Sequence, residues 1–308
     1  MTFTLNGAVL RRLLAQNNFV LPPAERVLLF GLRGALPVND KDWELGADKL
    51  LDTASVDYLH PRCTLGVWKI DTGELMVCPG STVPAQKFIA ASAAQGGAGT
   101  NLLMEGLLTF TRGPHQSGNP NNTHEAFKEA TNFPLRRTAN DAVYDSDDAL
   151  KVEWPGDDIH CGYCEGPSRI FDSSQGCQVV CGFPLRAATP GSKDLGAWPR
   201  FRDTAFASGQ ARFTYLLLDG ADAAAAALSP KDSLPAILRF GSSGALVTSL
   251  QGQLKAKGLL AGTADGAFGG GTLLALEKLQ RQSGVSADGV CGIHTAQALG
   301  IDGAWPKV

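Results

Sequence analysis

The sequence predicts a multidomain protein: a mainly-β domain over residues 1–218, a linker at 219–235, and a small all-α domain of three helices over 236–308. Three observations carry this. Short apolar runs recur between residues 27 and 218, separated by stretches rich in Gly, Asn and Pro, which is the pattern of strands and loops. Two copies of an Asp-Gly…Thr…Ala-Leu unit, at 265–276 and 288–299, form an internal repeat that reads as turn and helix. Between the two regions, "DGADAAAAALSPKDSLPAI" has no hydrophobic period, which fits a linker or a short helix followed by a turn. At 308 residues the chain is long enough for one large core and one small one.

The elements follow in chain order. Residues 6–17 form an amphipathic helix, with Asn6 as cap, Val9, Leu10, Leu13 and Leu14 facing inward, and Asn17 and Asn18 at its end. Arg11 and Arg12 interrupt its apolar stretch, so it is not a signal peptide and no export address is expected. "VLLFGLRG" is a strand closed by Gly34, and "CTLGVWKID" and "ELMVC" form a hairpin about Thr72-Gly73. "VPAQKFIAASAAQ" is a helix, and "GLLTFTRG", "CQVVCG" and "ARFTYLLLD" are strands. "RGPHQSGNPNNTHEA" is expected as a long surface loop, with His115 and His124 as surface histidines. Asp141, Asp145, Asp147 and Asp148 are expected in a solvated acidic turn, because their spacing does not match the twelve-residue calcium loop.

In the tail, Val247, Leu250 and Leu254 make the buried stripe of a first helix that Gly258 ends. In each repeat Asp-Gly makes a tight turn, Thr272 and Thr295 are placed as helix N-caps, and Gly284 and Gly300 end the helices. The string from Leu238-Arg239 through Gly241, Leu250-Gln251, Asp265-Gly266, Phe268-Gly269, Thr272, Leu279-Gln280 and Asp288-Gly289 to Thr295 resembles the peptidoglycan-binding domain found on many cell-wall enzymes. The resemblance implies affinity for bacterial peptidoglycan, with Asp265, Phe268 and Asp288 as module residues. Cys291 stands where that pattern has an aromatic or other apolar residue.

A net charge of −3 gives no footprint for nucleic acid, and no apolar run approaches the roughly 20 residues of a membrane span. Seven cysteines cannot all pair; reduced thiols, or up to three pairs and a free thiol, both stay open. Four of them lie in "DDIHCGYCEGPSRIFDSSQGCQVVCG", residues 157–182. Cys161-x-x-Cys164 and Cys177-x-x-x-Cys181 approach a four-thiolate zinc spacing, but the flanks lack the knuckle form. The other reading is enzymatic: a Cys177 thiolate needs a base, which His160 upstream supplies, and Gly176 lets the chain turn sharply before the nucleophile.

"IHCGY" followed by "SSQGCQ" resembles the L,D-transpeptidase catalytic domain of the YkuD type, and "STVP" at 81–84 resembles a strand end upstream in that family. The resemblance implies His160 as base and Cys177 as nucleophile, with Ser174, Gln175 and Gly176 shaping the site and no metal or cofactor. Gln175 replaces the family's His and Val179 its Arg, so Arg169 or Arg186 is expected to take over the substrate carboxylate, with Tyr163 beside them. The implied activity is acyl transfer, exchange or hydrolysis on peptidoglycan stem peptides, acting in the periplasm or outside the cell. Delivery without an export address suggests a phage lysis protein or an antibacterial effector, with an immunity or delivery protein as partner. The competing readings are an inert peptidoglycan binder and a zinc-stapled binder.

Overall fold

The computed structural model describes residues 1–95, 99–116, 118–138, 144–301 and 305–308; Asp141 lies outside them. The chain opens with β1 (Thr2–Asn6) and α1 (Gly7–Gln16), followed by β2 (Val27–Arg33), β3 (Ala35–Pro37), β4 (Asp48–Thr53), β5 (Cys63–Lys69) and β6 (Leu75–Ser81). Next come α2 (Gln86–Gln95), β7 (Asn101–Leu103), β8 (Gly106–His115), β9 (His124–Glu129), β10 (Phe133–Arg137), β11 (Ala149–Glu153), β12 (Ile159–Cys161) and β13 (Gln178–Val180). Then follow α3 (Ala197–Phe206), β14 (Arg212–Asp219), α4 (Gly220–Leu228), α5 (Ala245–Ala256), α6 (Gly270–Ser283) and α7 (Ile293–Leu299).

Eight strands close into a barrel in the order β12-β13-β6-β5-β2-β14-β8-β9. β2 lies between antiparallel β5 and parallel β14 and is buried on both faces, which explains its unbroken apolar run. Leu29 and Leu217 face the barrel core, while Leu28, Phe30 and Leu218 face a second core under α1 and α4. Asn6 caps α1 by accepting the N–H groups of Ala8 and Val9. β12 runs parallel to β13 but meets β9 at one residue pair, Ile159 with Phe127, and there the barrel closes. Two three-stranded sheets, β1-β4-β3 and β11-β10-β7, flank it. No helix among the described residues is long and apolar enough to cross a membrane.

Several expectations are corrected. The supposed surface loop is a hairpin: β8 runs through His115, β9 starts at His124, and the two histidines face each other across the pair, 9% and 4% exposed. Polar composition hid strands that are buried by the barrel's closure, not by their own apolar residues. Asp148 is buried rather than solvated, and its carboxylate accepts the Asp145 N–H at 2.9 Å. Of the two forms expected for the stretch after residue 218, residues 220–228 take the helix, α4, whose Ala223, Ala224 and Ala226 pack in the second core; small side chains permit close packing without a readable stripe.

The tail packs α5, α6 and α7 around Val247, Leu250, Leu254, Phe268, Leu276 and Cys291. Gly284 and Gly300 end their helices in the left-handed conformation, at φ 68° and 71°. Thr272 and Thr295 are not the caps; Gly269 and Gly292 are, and the threonines sit inside the first turn. There each faces a glutamine. Gln251 Nε2 donates to Asp265 Oδ1, Ala267 O and Thr272 Oγ1, and its Oε1 accepts the Gly266 N–H. Gln280 repeats this with Asp288, Val290, Thr295 and Gly289. The tail docks on the body through the Leu107 N–H to Phe240 O, and through Arg136, which reaches Asp148 O, Ala287 O and Glu277.

Candidate active site

Cys177 stands at the entry to β13, held by the turn before it. The buried Ser174 hydroxyl donates to Cys177 O at 2.7 Å and accepts the Gly176 N–H at 3.1 Å. Ala85 and Asn101 donate backbone N–H groups to Ser174 O and Gln175 O. A Cβ at Gly176 would meet Asp157 Oδ1 at 2.5 Å and Asn101 Cβ at 2.6 Å, so only glycine fits. The Gly176 N–H is therefore committed to Ser174, whereas the Cys177 N–H makes no hydrogen bond among the described residues.

This turn forms one wall of a pocket of about 580 Å³. Cys177, Gln175, Tyr163 and Arg186 line it, together with His115, Asn101, Arg137 and Asp157, which the sequence reading passed over. The Asp-Asp pair just before His160 was the available signal for Asp157. Arg137 is held by Glu153 at 2.6 Å, and Arg186 donates to Asn122 Oδ1 at 3.2 Å. Arg169 is exposed, pairs with Glu165 at 3.2 Å, and does not line the pocket. Tyr163 holds a left-handed backbone, φ 50°, uncommon for a residue with a side chain.

The electrostatics favour a neutral thiol. Burial, then the Asp157 and Asp158 carboxylates, push the Cys177 pKa well above its ordinary value. Its sulfur lies 3.8 Å from Gly156 O. Burial also pushes Asp157 up to about 7 and, with Asp157 beside it, Glu129 up to about 8. Asn101 Nδ2 donates to Asp157 at 3.1 Å, and the Asp157 N–H donates to Glu129.

His160 lies on β12 opposite Val179. Its Nδ1–H donates to Cys161 O at 2.7 Å, which leaves the Nε2 lone pair exposed to no partner in a buried ring. Burial, then His115 and His124, hold its pKa well below the usual range, so the ring is neutral. No hydrogen bond joins His160 to Cys177 among the described residues, and His160 is not on the pocket wall. His115 is: it stacks on His160 with ring centroids 3.9 Å apart, and its Nδ1 pairs with Asp158 Oδ2 at 2.7 Å, where Lys128 also binds at 2.6 Å.

The four-thiolate arrangement is not assembled. Cys164 and Cys181 sulfurs lie 3.3 Å apart as free thiols, whereas Cys161 turns into the barrel core and meets His124 Nε2 at 3.5 Å. In the tail, Asp265 and Asp288 close the two turns and Phe268 is core, 2% exposed. A separate pocket of about 380 Å³ opens beside Asp288, between Ile237, Val285 and His294.

Comparison with known proteins bears on the tail. Residues 243–299 match the family described as "Putative peptidoglycan binding domain". Over 63 residues the chain is 41% identical to two spore cortex-lytic enzymes of Bacillus cereus, covering 20% of this chain and 24% of each relative. The chain thus spans about a quarter of the length of these curated relatives. A crystal structure of the SleB N-terminal domain is 41% identical, covering 20% of this chain and 86% of that one, with a TM-score of 0.20. The chain therefore carries, after a mainly-β body, a domain that matches the peptidoglycan-binding family.

Proposed function

We propose that the chain is a cysteine-dependent acyltransferase or peptidase of the L,D-transpeptidase kind, acting on peptidoglycan stem peptides and tethered to the wall by its tail. The observation that carries this reading is Cys177, a thiol set by a hydrogen-bonded Ser-Gln-Gly turn on the wall of a peptide-sized pocket. The tail's likeness to part of the cortex-lytic enzymes supports a wall substrate; tethering raises its local concentration.

His160 lies opposite Val179, two residues beyond Cys177. Val179 packs with Cys177 and Cys181, whereas Val180 faces the barrel core. Sheet spacing then sets the His160 and Cys177 Cα atoms roughly 8 Å apart. On substrate binding the Cys177 side chain turns from Gly156 O toward His160, an alignment that unliganded sites often lack. The thiol gives its proton to His160 Nε2 as the sulfur attacks the carbonyl of an L-centred residue next to a D-amino acid. The Cys177 N–H and the Gln175 amide serve the oxyanion. The leaving amine takes the proton back, and a thioester remains. An incoming amine then forms a cross-link or exchanges the terminal residue, whereas water completes a cleavage. Arg186 and Arg137 offer positive charge to the stem carboxylates.

One observation favours a second assignment of the base. His115, held at Nδ1 by Asp158, lines the pocket as His160 does not. Muropeptide turnover by His160→Asn and His115→Asn separates the two. With His160 as base, its variant loses about 10²- to 10⁴-fold while His115→Asn stays within about tenfold. The reverse order transfers the role to His115, and small losses in both exclude an imidazole base.

A further inference from the structure

We propose that His124, His160 and Cys161 bind a divalent cation of the zinc class that staples the barrel where it closes. One donor atom from each residue lies within 4.8 Å of the other two, and all three residues are buried. The set, one thiolate and two imidazoles, is borderline-soft and suits zinc over calcium or magnesium.

The hydrogen bonds around the rings point the same way. A ligating histidine ordinarily donates its other ring N–H to a carbonyl or carboxylate, which fixes the tautomer. His124 Nδ1 donates to Asn122 O at 2.8 Å and His160 Nδ1 donates to Cys161 O at 2.7 Å. Both rings thereby keep Nε2 as the lone-pair atom. His160 Nε2 is buried without a partner, a state that native interiors rarely leave unexplained. His124 Nε2 lies 3.5 Å from Cys161 Sγ, close to the roughly 3.6 Å separating a sulfur and a nitrogen on one tetrahedral zinc. The Tyr163 hydroxyl hydrogen bonds to His124 at 3.2 Å, and Tyr163 also lines the Cys177 pocket, which puts the triad one side chain away from that pocket.

The position gives the ion a task. His124 begins β9, whereas His160 and Cys161 lie on β12, and these two strands pair at one residue only. A cation held from both sides bridges the weakest seam of the barrel. Binding exchanges the Cys161 S–H bond for a sulfur–metal bond and releases that proton to solvent. An ion on His160 Nε2 takes the lone pair that the His160-base reading uses, so a loaded site and that base role exclude each other; the titration below does not depend on Cys177 turnover.

The test is a titration of the reduced, chelator-stripped full chain with Co²⁺, followed by Zn²⁺. One equivalent of Co²⁺ is expected to give a near-ultraviolet thiolate-to-cobalt band with visible bands of four-coordinate cobalt. Zn²⁺ should displace it and raise the thermal midpoint by roughly 5–10 °C at a hundredfold excess over Kd. Cys161→Ser should abolish the near-ultraviolet band, whereas Cys164→Ser and Cys177→Ser should keep it. The site is overturned by a wild-type titration without that band, or by a band that survives in Cys161→Ser. The wild-type result decides even if a variant fails to fold.

Discussion

The helical tail and the barrel body treat buried polar groups in opposite ways. In the tail, each repeat is closed by one glutamine whose amide hydrogens and oxygen are all used, and no buried side-chain nitrogen or oxygen of residues 243–299 lacks a partner among the described residues. In the body, Asn101 Oδ1, Glu129 Oε2, Asp158 Oδ1 and His160 Nε2 are all buried and unpartnered. These four residues lie on the Cys177 pocket or bond and stack directly with the residues that line it. Folded proteins satisfy nearly all such groups; these four sit around one thiol, while Arg12, Gln16, Asn17, Arg62, Trp68 and Trp198 carry such atoms elsewhere in the body. Within the tail, Arg239 Nε, just before the first repeat, is buried and unpartnered.

The largest effect on that contrast is expected from Gln280→Ala. It strands the Gly289 N–H and removes the fork that holds the second repeat, costing about 2–4 kcal/mol of tail stability. Sedimentation with insoluble peptidoglycan should fall, while iodoacetamide labelling of Cys177 stays unchanged. Labelling that falls in step would show that the two regions work as one. Gly176→Ala comes next. Its Cβ has no room against Asp157 and Asn101, so about 1–3 kcal/mol of body stability should be lost in urea unfolding, with the Cys177 turn displaced and turnover reduced.

The smallest effect concerns charge. Asp157 and Glu129 have folded pKa values raised to about 7 and about 8, so the folded state holds protons that the unfolded chain releases near the ordinary carboxylate range. Their contribution to stability is full at about pH 4 and is lost as pH rises through 7 to 8. The urea midpoint should fall over that window, and Asp157→Asn should flatten the fall. The same variant removes a negative charge that opposes the Cys177 thiolate, so labelling at pH 7 should quicken, by up to about tenfold for one pKa unit. Unchanged labelling would mean that Asp157 does not act on the sulfur.

How much was legible in the sequence follows from the distance over which each feature is built. The tail's helices, their glycine ends and their buried stripe are local, and α5 through α7 sit where periodicity and Gly258, Gly284 and Gly300 put them. The runs at β2, β5, β6 and β14 were readable because they are apolar. β9, β11 and β12 were not, because what buries them is pairing with strands remote in the chain. The site divided in the same way. Ser174, Gly176 and Cys177 belong to one short turn, and the motif that contains them was visible. His115, Asn101 and Asp157 arrive from three separate segments. The cysteine spacing invited a four-thiolate zinc site, yet the fold sends Cys161 to His124 and Cys164 to Cys181. Spacing along the chain could not show this, because it carries no information on which side of a barrel wall a thiol emerges.

Muropeptide digestion followed by mass spectrometry, comparing the full chain with Cys177→Ala, addresses the central claim most directly. The account predicts that the wild-type chain forms cross-linked, exchanged or shortened stem peptides through a thioester on Cys177. It predicts that Cys177→Ala loses this by about a thousandfold or more while still binding the wall. Product formation by Cys177→Ala at the wild-type rate would contradict it.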